Sequence, residues 1–298
     1  MEIVKPIIKW VGGKTQIIDT IMENFPKEIN NYHELFLGGG SVLLALLHNI
    51  NNKNIVVKGT INAYDINETL VSMYKNIQSK PKDIFSAIMK ILKVYNSIEG
   101  TTVNRKPKTL KEAKTSQESY YYWLRQCYNK LTQEEKNTPL GSAYFIFLNK
   151  TCFRGVYREG PNGFNVPFGH YKNPEVISEE HLMTMSTYIK NVKFSCMKFE
   201  DSFTHINESD YIYMDPPYAP ENATSFVGYT KEKFSLEQHM LLFETCKKYK
   251  FMMSNANVPL VTDNFKDNKY KIKTITCKRS INSKNPNAMT KEVIITNY

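Results

Sequence analysis

Cysteine is sparse in this 298-residue chain, and its five residues (Cys127, Cys152, Cys196, Cys246 and Cys277) are odd in number, widely scattered and never spaced as CxxC. That excludes a disulfide framework and argues against a structural zinc site. Long apolar runs are missing too. The longest strictly apolar stretch, Val42 to Leu47, is far too short for a bilayer span. The start MEIVKPIIKW has no charged segment leading into an apolar stretch and cleavage site, so a reduced, soluble, cytoplasmic protein without a secretory signal is expected. Several catalytic signatures are absent. The histidines show no HExxH spacing, and no Gly-x-Ser-x-Gly elbow occurs. Gly12-Gly13-Lys14-Thr15 resembles the end of a phosphate loop, but Ile8 stands where that loop needs its first glycine. A nucleotide triphosphatase is therefore disfavoured, and Lys14 beside Trp10 reads better as a carboxylate partner next to an aromatic wall. Arginine is scarce, five residues among 39 basic ones.

What is present is positive charge in one place. Residues 68–176 carry 17 basic and 9 acidic side chains, whereas residues 1–67 carry 6 of each and 177–298 carry 16 and 14. A locally basic segment points toward a polyanionic partner, although charge alone leaves nucleic acid and no partner equally open. The pattern of elements is strand–helix at both ends of the chain, with an α-rich basic stretch between them. Strands are expected at Tyr32–Leu37, Asn54–Tyr64, Tyr211–Met214, Phe251–Ser254, Lys271–Arg279 and Glu292–Asn297. Helical patterns cover Ser41–His48, Ile66–Val94, Tyr120–Leu131 and Ser142–Asn149; 96–118 reads as an exposed connection and Thr151–Lys172 as a glycine-rich loop. One α/β domain interrupted by a second module follows, with 1–67 and 177–298 forming the first and 68–176 the second.

The chemistry concentrates at Asp215-Pro216-Pro217-Tyr218, directly after an apolar strand. Ligands of open α/β sheets bind at the carboxyl ends of strands. Neither proline has an N–H, so Asp215 and the Pro216 carbonyl can act as two acceptors beside a flat tyrosine ring. That set suits a planar base with an exocyclic amine. An Asp-Pro turn with a packing tyrosine is the competing reading. Phe36-Leu37-Gly38-Gly39-Gly40-Ser41, between strand and helix, would let a cofactor approach the backbone at a helix N-terminus. Asp65, 25 residues after Gly40 at the end of the next strand, stands where a carboxylate accepts ribose hydroxyls, or simply caps the following helix.

In order along the chain, Ile8-Lys9-Trp10-Val11-Gly12-Gly13-Lys14, Glu34-Leu35-Phe36-Leu37-Gly38-Gly39-Gly40-Ser41, Tyr64-Asp65-Ile66-Asn67, Leu148-Asn149-Lys150, Phe164 to Gly169, Asp215 to Pro220 and Arg279 to Ser283 resemble the DNA adenine methyltransferases of the Dam type. No single string is decisive; the ordered set, spanning almost the whole chain, is specific. The resemblance implies a Rossmann-like S-adenosylmethionine-dependent methyltransferase sheet and an inserted, mostly α-helical DNA-recognition domain carrying a β-hairpin loop. It implies that Trp10, Lys14, Phe36, Gly38, Gly40, Ser41 and Asp65 hold S-adenosylmethionine, with no metal. Asp215 would sit where cofactor and target adenine meet, with Pro216 and Tyr218 completing the catalytic set. Lys9, Arg154, Tyr157, Arg158, Asn165, His170, Tyr171 and Lys172 would face double-stranded DNA. Arg158 aligns with the arginine that reads guanine in GATC-specific members, whereas Arg154 stands where those members usually carry Asn, and Leu35 where the family usually has Pro. The expected reaction is methylation of N6 of a flipped adenine in GATC or a related palindrome, by a monomer or weak dimer, with or without a cognate restriction endonuclease. An RNA adenine methyltransferase, a protein glutamine methyltransferase and an inactive DNA-binding homologue are the rivals; the last would need a damaged cofactor site, and Lys14, Asp65 and Asp215 are all present.

Overall fold

A computed structural model describes residues 3–172, 174–220, 234–278 and 289–298. The Arg279 to Ser283 part of the family match lies outside them. The chain forms two compact units. One comprises Met1–Gly13, Gly38–Leu44 and Asn67–Lys190, and so contains residues 68–176; the other comprises Lys14–Leu37, Ala45–Ile66 and Asn191–Tyr298.

The second unit is built on a seven-stranded sheet. Its strands are β1 (Tyr32–Glu34), β2 (Ile61–Asp65), β3 (Val192–Cys196), β4 (Tyr211–Met214), β5 (Lys250–Ala256), β6 (Lys271–Lys278) and β7 (Met289–Thr296). The spatial order is β3-β2-β1-β4-β5-β7-β6. The first five neighbours pair in parallel, and β7 pairs antiparallel with both β5 and β6. Central strands of such sheets are covered on both faces and read as continuous apolar runs; Tyr211-Ile212-Tyr213-Met214 is buried throughout. The strand order reverses between β1 and β4, the position where an open α/β sheet leaves a crevice. This is the methyltransferase-type α/β sheet expected from the sequence.

Local differences have local causes. The expected strand Tyr32–Leu37 is assigned only to Glu34, yet Leu35 N–H still donates to the Tyr213 carbonyl (3.1 Å) and Leu37 N–H to the Tyr64 carbonyl (2.8 Å). A proline at position 35, usual in the family, could not make the first of these bonds. The expected strand Asn54–Tyr64 breaks into Val56–Val57 and Ile61–Asp65. β3 is not among the strands anticipated from pattern, because Lys193 and Ser195 interrupt its apolar character.

The first unit is a helical cluster. The helical pattern 66–94 divides into Glu68–Ser79 and Pro81–Asn96: Pro81 takes the first helical position, and Lys80 before it leaves the helical region (φ −138°, ψ 46°). Gln117–Lys130, Pro139–Thr151 and Glu179–Tyr188 complete the long helices. Pro139–Thr151 packs against Glu68–Ser79, Pro81–Asn96 and Gln117–Lys130, which explains why apolar residues surround nearly its whole circumference. Asn67, Ser116, Thr138 and Ser178 each cap a helix with the side-chain oxygen. No described helix is long and apolar enough to cross a membrane.

Candidate active site

Asp215 follows β4 and faces Lys14, whose Nζ lies 2.7 Å from Asp215 Oδ2. Lys14 reaches this point from the turn that opens Thr15–Ile17, where Ile17, Ile18, Ile21 and Met22 are buried beneath it. The expected carboxylate partner of Lys14 is thus Asp215 itself, and the aromatic ring beside its ammonium in this unit is Tyr218, 4.9 Å from Nζ to centroid. Asp215 Oδ1 is buried and has no hydrogen-bond partner among the described residues. A buried carboxylate oxygen without a donor costs free energy unless a ligand supplies one. Burial pushes the Asp215 carboxyl up to about 6; the Lys14 charge and hydrogen bond oppose the rise and the Glu292 charge adds to it.

Two further contacts tie down the tetrapeptide. The Tyr218 hydroxyl donates to Glu292 Oε2 (2.6 Å), and Ala219 N–H donates to Asn255 Oδ1 (3.1 Å). Burial, then the charges of Asp215 and Glu292, raise the Tyr218 hydroxyl far above its usual range, so it stays protonated. Pro216 is buried and Pro217 exposed. Neither Asn255 nor Glu292 is singled out by sequence reasoning. Asn255 carries a signal, as a polar residue at the carboxyl end of an apolar central strand. Glu292 carries none, being one charge in the middle of a strand.

Beside this segment lies a cavity of about 350 Å³, lined by Leu35, Phe36, Asp65, Met197, Phe199, Pro217 and Phe234 among others. Phe36 packs against Phe199 and Phe234 at centroid distances of 5.8 and 5.7 Å. Glu200 and Gln238 also line it; Gln238 Nε2 donates to Glu200 Oε1 (3.2 Å), while Glu200 Oε2 is buried without a partner among the described residues. An aromatic-walled cavity lined by two carboxylates, Asp65 and Glu200, offers a flat apolar slot with acceptors for a ligand's polar hydrogens. Phe199, Glu200 and Gln238 are additions to the sequence-based set.

Glu34, at the end of β1, is buried and accepts from the Tyr32 hydroxyl (2.6 Å). Burial raises its carboxyl to about 8; the Tyr32 hydrogen bond opposes this, and the Asp215 and Asp65 charges reinforce it. Between its ordinary value of 4.5 and about 8 the folded chain holds a proton that the unfolded chain has released. The contribution of Glu34 to stability therefore declines as pH rises through that window, by up to about 1.4 kcal/mol per pH unit. Glu34→Gln, neutral in both states, should raise the thermal midpoint relative to the parent, with a gain at pH 8 that exceeds the gain at pH 5. An equal gain at both values would show that Glu34 ionises normally.

The other expected site residues belong to the helical unit. Gly38 and Gly40 have positive φ (50° and 70°), and a Cβ on Gly38 would lie 2.9 Å from Trp10 Cδ1, so glycine is required there on both counts. Ser41 opens the helix Ser41–Asn51, and Leu44 N–H donates to the Gly40 carbonyl. Trp10 stacks on Tyr157 (5.3 Å, 22°) and meets Phe145 edge-on. Tyr157 is therefore held in an aromatic cluster.

Lys9 is clasped by Asn149, which accepts from its N–H and donates to its carbonyl, both at 2.8 Å; its ammonium lies 4.7 Å from the Tyr171 ring centroid. The loop 152–172 is pinned at both ends, Phe153 N–H to the Pro167 carbonyl and Gly169 N–H to the Thr151 carbonyl, each 2.8 Å. Between these pins Glu159–Gly160 pairs with Gly163–Phe164 as an antiparallel hairpin. Arg154, Arg158, Asn165, His170 and Lys172 are exposed. Arg154 adopts φ 57°, a left-handed conformation that Asn, the usual family residue, takes more readily than Arg. Arg158 Nε donates to Asn165 Oδ1 (2.6 Å) across the hairpin. His170 lies 3.8 Å from Glu118, which also pairs with Arg105. Among the described residues, no group of three or more His, Cys, Asp or Glu could hold a metal ion.

Comparison with known proteins identifies the family. The model of the D12 class N6 adenine-specific DNA methyltransferases matches residues 10–281. A type II methyltransferase, M.MjaIII, of Methanocaldococcus jannaschii is 35% identical over 294 residues, covering 94% of each chain. A second, M1.LlaDCHI of Lactococcus lactis subsp. cremoris, is 29% identical, covering 99% of this chain and 95% of its own. The DNA adenine methylase of Haemophilus influenzae is 29% identical, covering 95% and 89%. The chain belongs to the D12 class of N6 adenine-specific DNA methyltransferases and is an adenine-specific DNA methyltransferase.

Proposed function

We propose that the enzyme methylates N6 of an adenine flipped out of a short duplex motif, GATC or a related palindrome, with S-adenosylmethionine as donor. The observation that carries this reading is Asp215 Oδ1, a buried acceptor without a partner among the described residues, next to an oxygen held by Lys14 and two residues before Pro217, which lines the cavity. Phe36, Phe199 and Phe234 would enclose the adenosine of the donor and Asp65 would accept from its ribose; the resemblance would also give Trp10, Lys14, Gly38, Gly40 and Ser41 a part in holding the donor. When bound, that donor supplies a methyl group on a sulfonium, a good leaving group. The protein's task is then to present the nucleophile. An adenine amine is a poor one, because its lone pair is delocalised into the ring. Asp215, together with the Pro216 carbonyl, would accept the amine protons, favour a tetrahedral nitrogen and take up the proton after transfer. Tyr218 would stack on the flipped base.

In this reading the helical unit is the DNA-recognition domain and the sheet unit the catalytic one. Lys9, Tyr157, His170, Tyr171 and Lys172 would position the duplex, while Arg158 and Arg154 read bases. The enzyme would act as a monomer or weak dimer in the cytoplasm, alone or beside a restriction endonuclease cutting the same motif. Methylated-base sequencing of plasmid DNA after incubation with S-adenosylmethionine tests the function directly: N6-methyladenine confined to one short motif supports it, and absence of methyladenine on bound DNA refutes it. For the base reading, Arg158→Ala should lose roughly 1–3 kcal/mol of discrimination at one base pair. Because Asn165 holds the guanidinium Nε, Asn165→Ala should lose part of the same discrimination. Equal weakening at all sequences would make Arg158 a phosphate contact.

A further inference from the structure

The mechanism above uses Tyr218 for its ring, but its hydroxyl is committed to Glu292 at 2.6 Å. Glu292 reaches it because β7 runs antiparallel to β5. The register sets Glu292 opposite Ala256, one residue past Asn255, whose side chain holds Ala219. An early residue of β7 thereby lies at the carboxyl ends of the parallel strands, where Asp215 begins. Lys14 stands between, 2.7 Å from Asp215 and 4.9 Å from the Tyr218 ring centroid. We propose that Glu292 is a positioning residue of methyl transfer: it anchors the Tyr218 ring by its hydroxyl and offsets the charge of Lys14 at Asp215. The proposal rests on the reading of Asp215 and Tyr218 given above.

Both parts follow from the geometry. A tyrosine ring held only by packing can swing about its Cα–Cβ bond, whereas a charged acceptor on its hydroxyl fixes where the far end of the ring lies. Among the described residues, the groups that bear on Asp215 are Lys14, Glu34, Tyr213, Tyr218 and Glu292. Both tyrosines remain neutral, and Glu34 is held largely protonated at pH 7. Lys14 lowers the Asp215 carboxyl and Glu292 raises it. Removing the Glu292 charge leaves Lys14 less opposed, so Asp215 should stay ionised to lower pH.

Three variants separate the two effects. Glu292→Gln keeps an oxygen for the tyrosine hydroxyl and removes the charge; Tyr218→Phe removes the hydroxyl and keeps ring and charge; Glu292→Ala removes both. Thermal unfolding and S-adenosylmethionine affinity of each variant would show that the fold and the cofactor cavity persist. Expected are a downward move of the acidic limb of kcat/KM in Glu292→Gln and an unmoved limb in Tyr218→Phe. Tyr218→Phe and Glu292→Ala should each lose kcat by roughly tenfold, and the double variant little more than either, as for contacting residues. Glu292→Gln should recover much of what Glu292→Ala loses. Multiplicative losses in the double variant, or an unmoved limb in Glu292→Gln, overturn the proposal. A parent enzyme that makes no methyladenine would instead overturn the underlying function.

Discussion

Asp215→Ala is expected to lower methyl transfer by about a thousandfold or more, the scale associated with removing a group that both orients and accepts a transferring proton. The effect should appear in single-turnover kcat, with S-adenosylmethionine affinity and DNA affinity changed far less, because the aromatic cavity and the exposed basic loop do not depend on the carboxylate. Oδ1 bonds nothing among the described residues, so losing it removes no internal hydrogen bond, whereas losing Oδ2 breaks the ion pair with Lys14; thermal unfolding of Asp215→Ala separates that cost from the loss of transfer. Asp215→Asn retains one oxygen acceptor but offers an amide to a site that needs two lone pairs, and should fall between the parent and the alanine variant. Radiolabelled methyl transfer on a plasmid checks the series. Near-normal turnover in Asp215→Ala would remove Asp215 from the mechanism.

Lys14→Met should cost about a hundredfold at pH 7 and, unlike Asp215→Ala, should be partly reversed by alkali. The sign follows from what acts on Asp215. Burial raises its carboxyl, and the Lys14 charge and hydrogen bond hold it down at about 6. Without Lys14 the carboxyl moves above 6, so at pH 7 a larger share is protonated and cannot accept from the adenine amine. Each unit by which the midpoint exceeds the assay pH costs roughly tenfold. The acidic limb of kcat/KM should therefore move upward in Lys14→Met, the opposite direction to Glu292→Gln. If the limb stayed in place, Lys14 would act on the cofactor alone and Asp215 would owe its state to burial.

The site was partly legible in the sequence because some of its chemistry is local. Asp215-Pro216-Pro217-Tyr218 follows its strand without a gap, so the acceptor pair and the ring come from one turn. Gly38 and Gly40 lie between strand and helix, and both adopt positive φ. Pro81, inside the helical pattern 66–94, marks where that pattern breaks, and the helix does restart there. By contrast, the 152–172 loop contains a hairpin of two-residue strands, too short to leave an alternation in the sequence. Phe199, Glu200 and Gln238 look like ordinary residues of helices and turns; only their convergence on one cavity distinguishes them.

What the sequence determined by itself was the reaction class, through an ordered set of short motifs, and the α/β character, through apolar runs bounded by glycine, proline and aspartate. Which charges meet was decided only by the tertiary structure. Lys14 and Asp215 are 201 positions apart and Tyr218 and Glu292 are 74 apart, and no local period links them. The reversal of strand order between β1 and β4 opens a crevice at Asp215, and the antiparallel insertion of β7 carries Glu292 to the same edge. Strand direction and register are set by long-range pairing, so a charge within a strand shows its role only once its neighbours across the sheet are in place.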